Sequence, residues 1–102
     1  MFQIIISEKA IKDITSIREY IEKRLSNPIS ADSFYEELRS KILSLTEFPG
    51  RFSRILIGGL YYHRMPVKSF NVYYCVNQNS QTVTIARVLY SGMDINQVAI
   101  IN

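Results

Sequence analysis

The stretch Phe70-Asn-Val-Tyr-Tyr-Cys-Val76 decides how this chain folds. Its β-branched and aromatic residues read as a strand. A period of two puts Phe70, Val72, Tyr74 and Val76 on one face and Asn71, Tyr73 and Cys75 on the other. The first face is apolar throughout, so it should pack against whatever helices the chain supplies, with Tyr74 in the core. The second is mixed and is expected to be left for function.

Working outward, the polar turn Asn77-Gln-Asn-Ser80 leads into a strand from Thr82 to Tyr90. Upstream, Arg54-Ile-Leu-Ile57 and Leu60 to Pro66 read as strands joined by Gly58-Gly59, a pair suited to a two-residue hairpin turn. The second half of the chain is thus a meander of three or four antiparallel strands.

The first half has a different period. Phe2 and the run Ile4-Ile-Ile6 open with a strand, and Ser7 is a good helix N-cap. From Glu8, apolar residues at Ile11, Ile14, Ile17, Ile21 and Leu25 form one stripe on an amphipathic helix. Ser26-Asn-Pro-Ile29 breaks it, because proline lacks an amide donor and turns Asn27 away from helical angles. A second helix, capped by Ser30, buries Ala31, Phe34, Tyr35, Leu38, Ile42 and Leu45 until Phe48-Pro-Gly50 stops it. The class is therefore α+β: an N-terminal strand, an antiparallel helix hairpin, the meander sheet, and a short C-terminal helix or tail over Ile95 to Ile101.

With 102 residues, 47% of them apolar, the chain makes one core, so residues 1–102 are read as a single domain. The opening Met1-Phe-Gln-Ile-Ile-Ile-Ser7 has no basic leader and falls far short of the roughly 18 apolar residues of a membrane span, which suggests the cytoplasm. Cys75 is the one cysteine and His63 the one histidine, so neither an internal disulfide, nor a metal, nor a cofactor is expected. Charge is unevenly spread. Residues 1–50 hold seven Lys/Arg against eight Asp/Glu, whereas residues 51–102 hold Arg51, Arg54, Arg64, Lys68 and Arg87 against Asp94 alone. Such a half attracts an acidic protein surface or a phosphate backbone.

Among individual residues, His63 titrates near neutrality and could act as a base, but flanked by Tyr62 and Arg64 it reads better as a partly exposed contact. No basic neighbour activates Cys75, which reads as a small sheet residue. Arg64, Lys68 and Arg87 come from neighbouring strands or their turn and could converge on one patch for an acidic partner. Arg87, between Ala86 and Val88 in an apolar strand, has to be paired or exposed on a working face. Asp94 is a candidate partner for an arginine, or a cap for the C-terminal segment, and Tyr90 is assigned to the functional face.

Read in order, six pieces resemble the RelE/ParE superfamily of toxins from type II toxin-antitoxin systems. They are Ser7-Glu-Lys-Ala-Ile-Lys-Asp-Ile14, the helix from Ser30 to Leu45, Phe48-Pro-Gly50, Tyr62-His-Arg-Met-Pro-Val67, Phe70-Asn-Val-Tyr-Tyr74, and Ile85-Ala-Arg-Val-Leu-Tyr-Ser-Gly-Met-Asp94. The resemblance implies neutralisation by a co-encoded antitoxin, ParD-like or other, in a hetero-oligomer. The antitoxin's C-terminal segment would be disordered alone and fold along the toxin.

Two branches are open. RelE-like members cleave mRNA on the ribosome, whereas ParE-like members act on DNA gyrase without nuclease activity. Cleavage needs a base, an acid and cations for the charged phosphorane. The arginine of the RelE-like pattern falls here on Asn71, its basic pair on Tyr90 and Ser91, and its C-terminal tyrosine near Gln97 or Val98. The run Arg87-Val-Leu-Tyr90 instead looks like the end of the ParE-like sheet, with Tyr90 where histidine is usual. The expectation is a ParE-like gyrase inhibitor that is not an enzyme, with partner contacts at Arg64, Lys68, Arg87, Tyr90 and Asp94. The alternative is an mRNA endonuclease with its chemistry moved to His63, Arg64, Arg87 and Tyr90.

Overall fold

The computed structural model describes residues 1–24 and 28–97. The chain opens with β1 (Gln3–Ile6) and passes through Ser7 into α1 (Glu8–Arg24), followed by α2 (Pro28–Leu43). Ser7 is the N-cap: its Oγ accepts from the Ala10 amide at 3.1 Å, and its carbonyl accepts from the Ile11 amide at 3.0 Å. Two 3-10 turns, Ser44–Thr46 and Pro49–Arg51, lead to β2 (Arg54–Ile57), β3 (Leu60–Val67), β4 (Phe70–Asn77) and β5 (Thr82–Tyr90).

The sheet order is β1-β5-β4-β3-β2. The last four strands form an antiparallel meander, and β1 adds to its edge parallel to β5, from Gln3 opposite Thr82 to Ile6 opposite Ile85. Gly58 and Gly59 have φ of +57° and +82°, the paired left-handed conformation of a tight hairpin turn, which residues with a Cβ adopt at a cost.

The helices cover one face of the sheet. Phe34, Leu38, Ile42, Met65, Val72, Tyr74, Val83, Ile85 and Val88 form the main core, with Phe70 and Val76 packed against it, so the alternation of β4 is realised. The first helical stripe differs from expectation. Ala10 and Ile21 are buried and Ile14 and Ile17 pack on the core, but Ile11 is 52% exposed, because the stripe follows the 10, 14, 17, 21 rows. Leu25, Ser26 and Asn27 lie outside the described residues. The second helix begins at Pro28, so Ser30 lies within it and is not its cap. Proline suits a first helical turn, where its missing amide would have no acceptor in any case. Tyr35 is exposed at 37%, and Leu45 is buried from the 3-10 turn that follows α2.

The second face of the sheet is not bare. Ile57, Tyr62, Tyr73 and Leu89 are buried there, Ile55, Cys75 and Ala86 pack beside them, and Ile95 is folded onto the group. Ile95 belongs to a 3-10 turn (Ile95–Gln97) whose start is held by Asp94, whose Oδ1 accepts from the Asn96 amide at 3.0 Å. Residues 98–102, and with them the rest of the expected C-terminal helix or tail, lie outside the described residues. This apolar cover takes away much of the face expected to be free for function.

The Tyr74 hydroxyl donates to the Pro49 carbonyl and ties the meander to the turn after α2. Burial pushes the Tyr74 pKa up to about 12, against the opposing pull of Arg51. The folded state therefore holds this proton more tightly than the unfolded chain, whose tyrosines titrate near 10. The stabilisation is complete below pH 10 and is lost as pH rises towards 12. Tyr74→Phe should lower stability by about 1–2 kcal/mol at neutral pH, since it strands a carbonyl. It should also flatten the loss of stability above pH 10, measured by urea denaturation across pH.

Candidate functional site

Three places bring functional side chains together. The first lies where β5 outruns β1. β1 ends at Ile6, opposite Ile85, so the edge of β5 from Ala86 onwards has no strand beside it. Residues at the start of α1 take its place. The Ser7 amide donates to the Ile85 carbonyl at 3.0 Å and the Ser7 hydroxyl to the Ala86 carbonyl at 2.8 Å. The Asp13 carboxylate then accepts the Val88 amide at 3.0 Å and holds Arg87 bidentately, Nε at 2.6 Å and Nη2 at 2.8 Å. Here the register shifts: Tyr73 faces Arg87 and Tyr74 faces Ile85, which leaves Ala86 as an extra residue in β5. The Arg87 and Asp13 side chains are only 14% and 13% exposed, so the pair is largely withdrawn from water.

The sequence marked Arg87 as needing a partner and offered Asp94. The structure gives it Asp13, and Asp94 caps the turn at Asn96 instead. The signal was in the helix: Asp13 stands three residues after Ala10 and four before Ile17, on the apolar stripe itself. A carboxylate in that position calls for a cation from the sheet.

The second place is an apolar groove of about 690 Å³ between the helices and one end of the sheet. Ile17, Tyr20 and Ile21 of α1, Phe34 of α2, Phe70 and Tyr90 line it, with Lys68 and Ser69 of the β3–β4 turn at its lip. Phe70 meets Phe34 at a centroid distance of 5.1 Å and takes the Tyr90 ring edge-on at 6.2 Å. Tyr90 is 56% exposed and backs onto Gly92, where a Cβ would come within 2.4 Å of its ring. Tyr90 therefore stands on the helix side, at the rim of this groove, and not on the opposite face. Lys68, at φ +52°, approaches Glu37 at 3.9 Å, a long pair between half-exposed side chains in which Glu37 Oε2 is itself buried and has no hydrogen-bond partner among the described residues.

The third place surrounds His63 on β3. Its Nδ1 lies 2.8 Å from the Phe52 carbonyl, which can only accept, so Nδ1 carries a hydrogen, and the ring stacks on Tyr74 at 5.1 Å. The orienting group is a backbone carbonyl, with no carboxylate hydrogen-bonded to the ring. Arg54 is opposite His63 in the β2–β3 ladder, with its guanidinium 4.8 Å from the Tyr61 ring centre.

The residues of the nuclease alternative do not converge. His63 is opposite Tyr74 and Tyr90 opposite Phe70, four residues along β4, or roughly 13 Å. Arg64 is opposite Tyr73, on the face away from the helices, while Arg87 is held by Asp13. Of the expected partner contacts, Lys68 and Tyr90 share the groove, and Arg64 stands apart from them. Cys75 is half-buried, and burial pushes its thiol pKa up, away from the reactive thiolate. Among the described residues no group of His, Cys, Asp and Glu could hold a metal ion, and no helix is long and apolar enough to cross a membrane.

Residues 4–95 match the family model of the ParE toxin of the type II toxin-antitoxin system parDE. No curated protein matches the chain in sequence. Among solved structures, a chromosomal ParDE toxin-antitoxin system from P. aeruginosa is similar, with a TM-score of 0.73 at 16% identity over 88% of this chain and 96% of that one. The archaeal RelE-RelB complex from Pyrococcus horikoshii OT3 is similar too, with a TM-score of 0.65 at 17% identity over 91% of this chain and 98% of that one. At such identities the structural likeness speaks for the fold.

Because Asp13 and Arg87 are largely buried together, removing either strands the other. Asp13→Ala and Arg87→Ala should each cost roughly 2–3 kcal/mol, and the double variant clearly less than their sum. Thermal unfolding of the four proteins measures this coupling, and additive losses would show the pair to be incidental.

Proposed function

We propose a target and a mode of control for a chain that belongs to the ParE toxin family of type II toxin-antitoxin systems. The target is DNA gyrase, inhibited by binding and not by nuclease chemistry, in the cytoplasm. The observation that carries this reading is the engagement of Arg87. The cation that a relocated RNase site would need is bound bidentately by Asp13, 2.6 and 2.8 Å away. Asn71, at the position of the arginine in the RelE-like pattern, cannot replace it, because an amide carries no charge for a phosphorane. His63 is oriented by the Phe52 carbonyl, and no carboxylate among the described residues is hydrogen-bonded to it. A binding mechanism needs none of these groups to meet.

Control is assigned to the groove. A partially folded antitoxin segment would lay an apolar helix face against Phe70, Tyr90, Ile17 and Tyr20, with an acidic residue reaching Lys68. The Lys68–Glu37 contact supports this, since at 3.9 Å it is too long to be a hydrogen bond and leaves the ammonium free to take one from a carboxylate. Lys68 and Tyr90 are then the partner contacts of the earlier set, while Arg87 and Asp94 hold the scaffold and Arg64 lies on the other face of the sheet.

Purified protein should block gyrase supercoiling and leave ribosome-bound messages intact. Cleaved messages with unaffected gyrase would reverse the choice of target. Tyr90→Ala should weaken binding of the co-encoded antitoxin at least about tenfold, the effect of losing an aromatic anchor, without lowering the melting temperature. Unchanged affinity would remove the groove from the interface.

A further inference from the structure

The turn that follows β5 sets the posture of Tyr90. Tyr90, Ser91, Gly92 and Met93 form a β-turn closed by the Met93 amide on the Tyr90 carbonyl at 3.0 Å. It is fastened to the β3–β4 turn, because the Ser91 amide donates to the Ser69 carbonyl at 2.9 Å. The two turns make one support at the mouth of the groove, with Lys68 and Ser69 on one and Tyr90 on the other.

Glycine in a turn is usually there for its backbone freedom, and at Gly92 that reason is missing. The glycines with positive φ are Gly58 and Gly59. Gly92 is not among them, so its backbone conformation is one that residues with a Cβ adopt without strain. What an added Cβ would meet is the Tyr90 ring, at Cε2, Cζ and Cδ2. A Cβ at Gly50, Gly58 or Gly59 would have nothing within 4 Å. All three atoms at Gly92 belong to the part of a side chain that can swing, so a methyl group there displaces the ring and leaves the backbone in place. Phe70 meets the same ring edge-on, with centroids 6.2 Å apart and planes at 74°. Lying on a bare turn and against Phe70, Tyr90 is still 56% exposed.

We propose that Gly92 is a positioning residue for partner binding, which keeps the Tyr90 ring folded onto the turn and against Phe70, the posture in which it lines the groove. This role rests on the assignment of Tyr90 to the antitoxin interface, and it states how that contact is prepared. An aromatic side chain fixed before encounter loses little rotamer freedom on binding, whereas one released from its seat has to be ordered by the partner. With the ring driven off the turn, an apolar helix face would meet a groove that Tyr90 no longer completes beside Ile17 and Tyr20. The fold itself has no need of this glycine. Alanine at a compatible φ restricts the unfolded chain, which offsets the loosened contact with Phe70.

The test uses the whole chain and the co-encoded antitoxin, with affinity measured by calorimetry and the ring followed by NMR. Gly92→Ala should weaken antitoxin binding about three- to tenfold, the cost of ordering one side chain, and should keep the melting temperature. In a Tyr90→Ala background the same substitution should change nothing, since no ring remains to be displaced. Nuclear Overhauser contacts should join the Tyr90 ring to the Gly92 α-protons and to the Phe70 ring in the unaltered protein, and Gly92→Ala should erase those to Phe70. Gly50→Ala, whose methyl group meets nothing, is the control and should bind as the unaltered chain does. Equal losses with and without the Tyr90 ring, a Tyr90–Phe70 contact that survives Gly92→Ala, an equal loss in Gly50→Ala, or a melting temperature lowered by several degrees would each overturn the positioning role alone. Failure of the groove reading looks different: Tyr90→Ala would then bind the antitoxin as tightly as the unaltered chain, which overturns both.

Discussion

The Asp13 carboxylate is the joint on which the two halves of the molecule depend. It accepts three hydrogen bonds, two from Arg87 and one from the Val88 amide, across 74 and 75 residues of sequence. β1 is only four residues long and β5 is nine, so without a substitute partner the second half of β5 would expose its backbone groups at the place where α1 must lie. Ser7 and Asp13 are that partner. Charge-assisted bonds of this length are stronger than neutral ones, and both side chains are too well buried for water to replace them.

From that joint follow the position of α1 and the shape of everything around it. With α1 anchored on β5, Ile17, Tyr20 and Ile21 come to face Phe34 and Phe70, and the space between them becomes the groove. The extra residue Ala86 in β5 belongs to the same arrangement. It lets Ile85 and Val88 both enter the helix-side core although they are three apart, a spacing that a regular strand would send to opposite faces.

The two faces of the sheet divide the work differently from a simple core and working face. Helices cover one, and the second carries its own cluster of Tyr62, Tyr73, Leu89 and Ile57 under Ile95. Exposed aromatic side chains are thereby pushed to the ends and margins, with Tyr90 at the groove beside the β3–β4 turn and Tyr61 beside β2.

The sequence by itself determined the elements and their order. Alternation in Phe70 to Val76, the Ser7 cap, the Gly58-Gly59 turn and the three-four spacing of Ile14, Ile17 and Ile21 are local signals, each arising from backbone geometry within a few residues. Tyr74 in the core and the meander itself were legible for the same reason. The ends of the helices were less so, since Pro28 starting α2 and Ile11 leaving the stripe depend on how the helix sits on the sheet. What only the tertiary structure decided is which distant groups meet. Arg87 announced a need for a partner, but the choice of Asp13 over Asp94 rests on β1 being shorter than β5 and on α1 filling the gap. Tyr90 likewise could be read as exposed and aromatic, yet its side of the sheet was set by its place opposite Phe70, beyond the irregularity at Ala86. Periodicity fixes a face only until a bulge resets it, and pairing across 74 residues is a property of the packed chain and not of any segment of it.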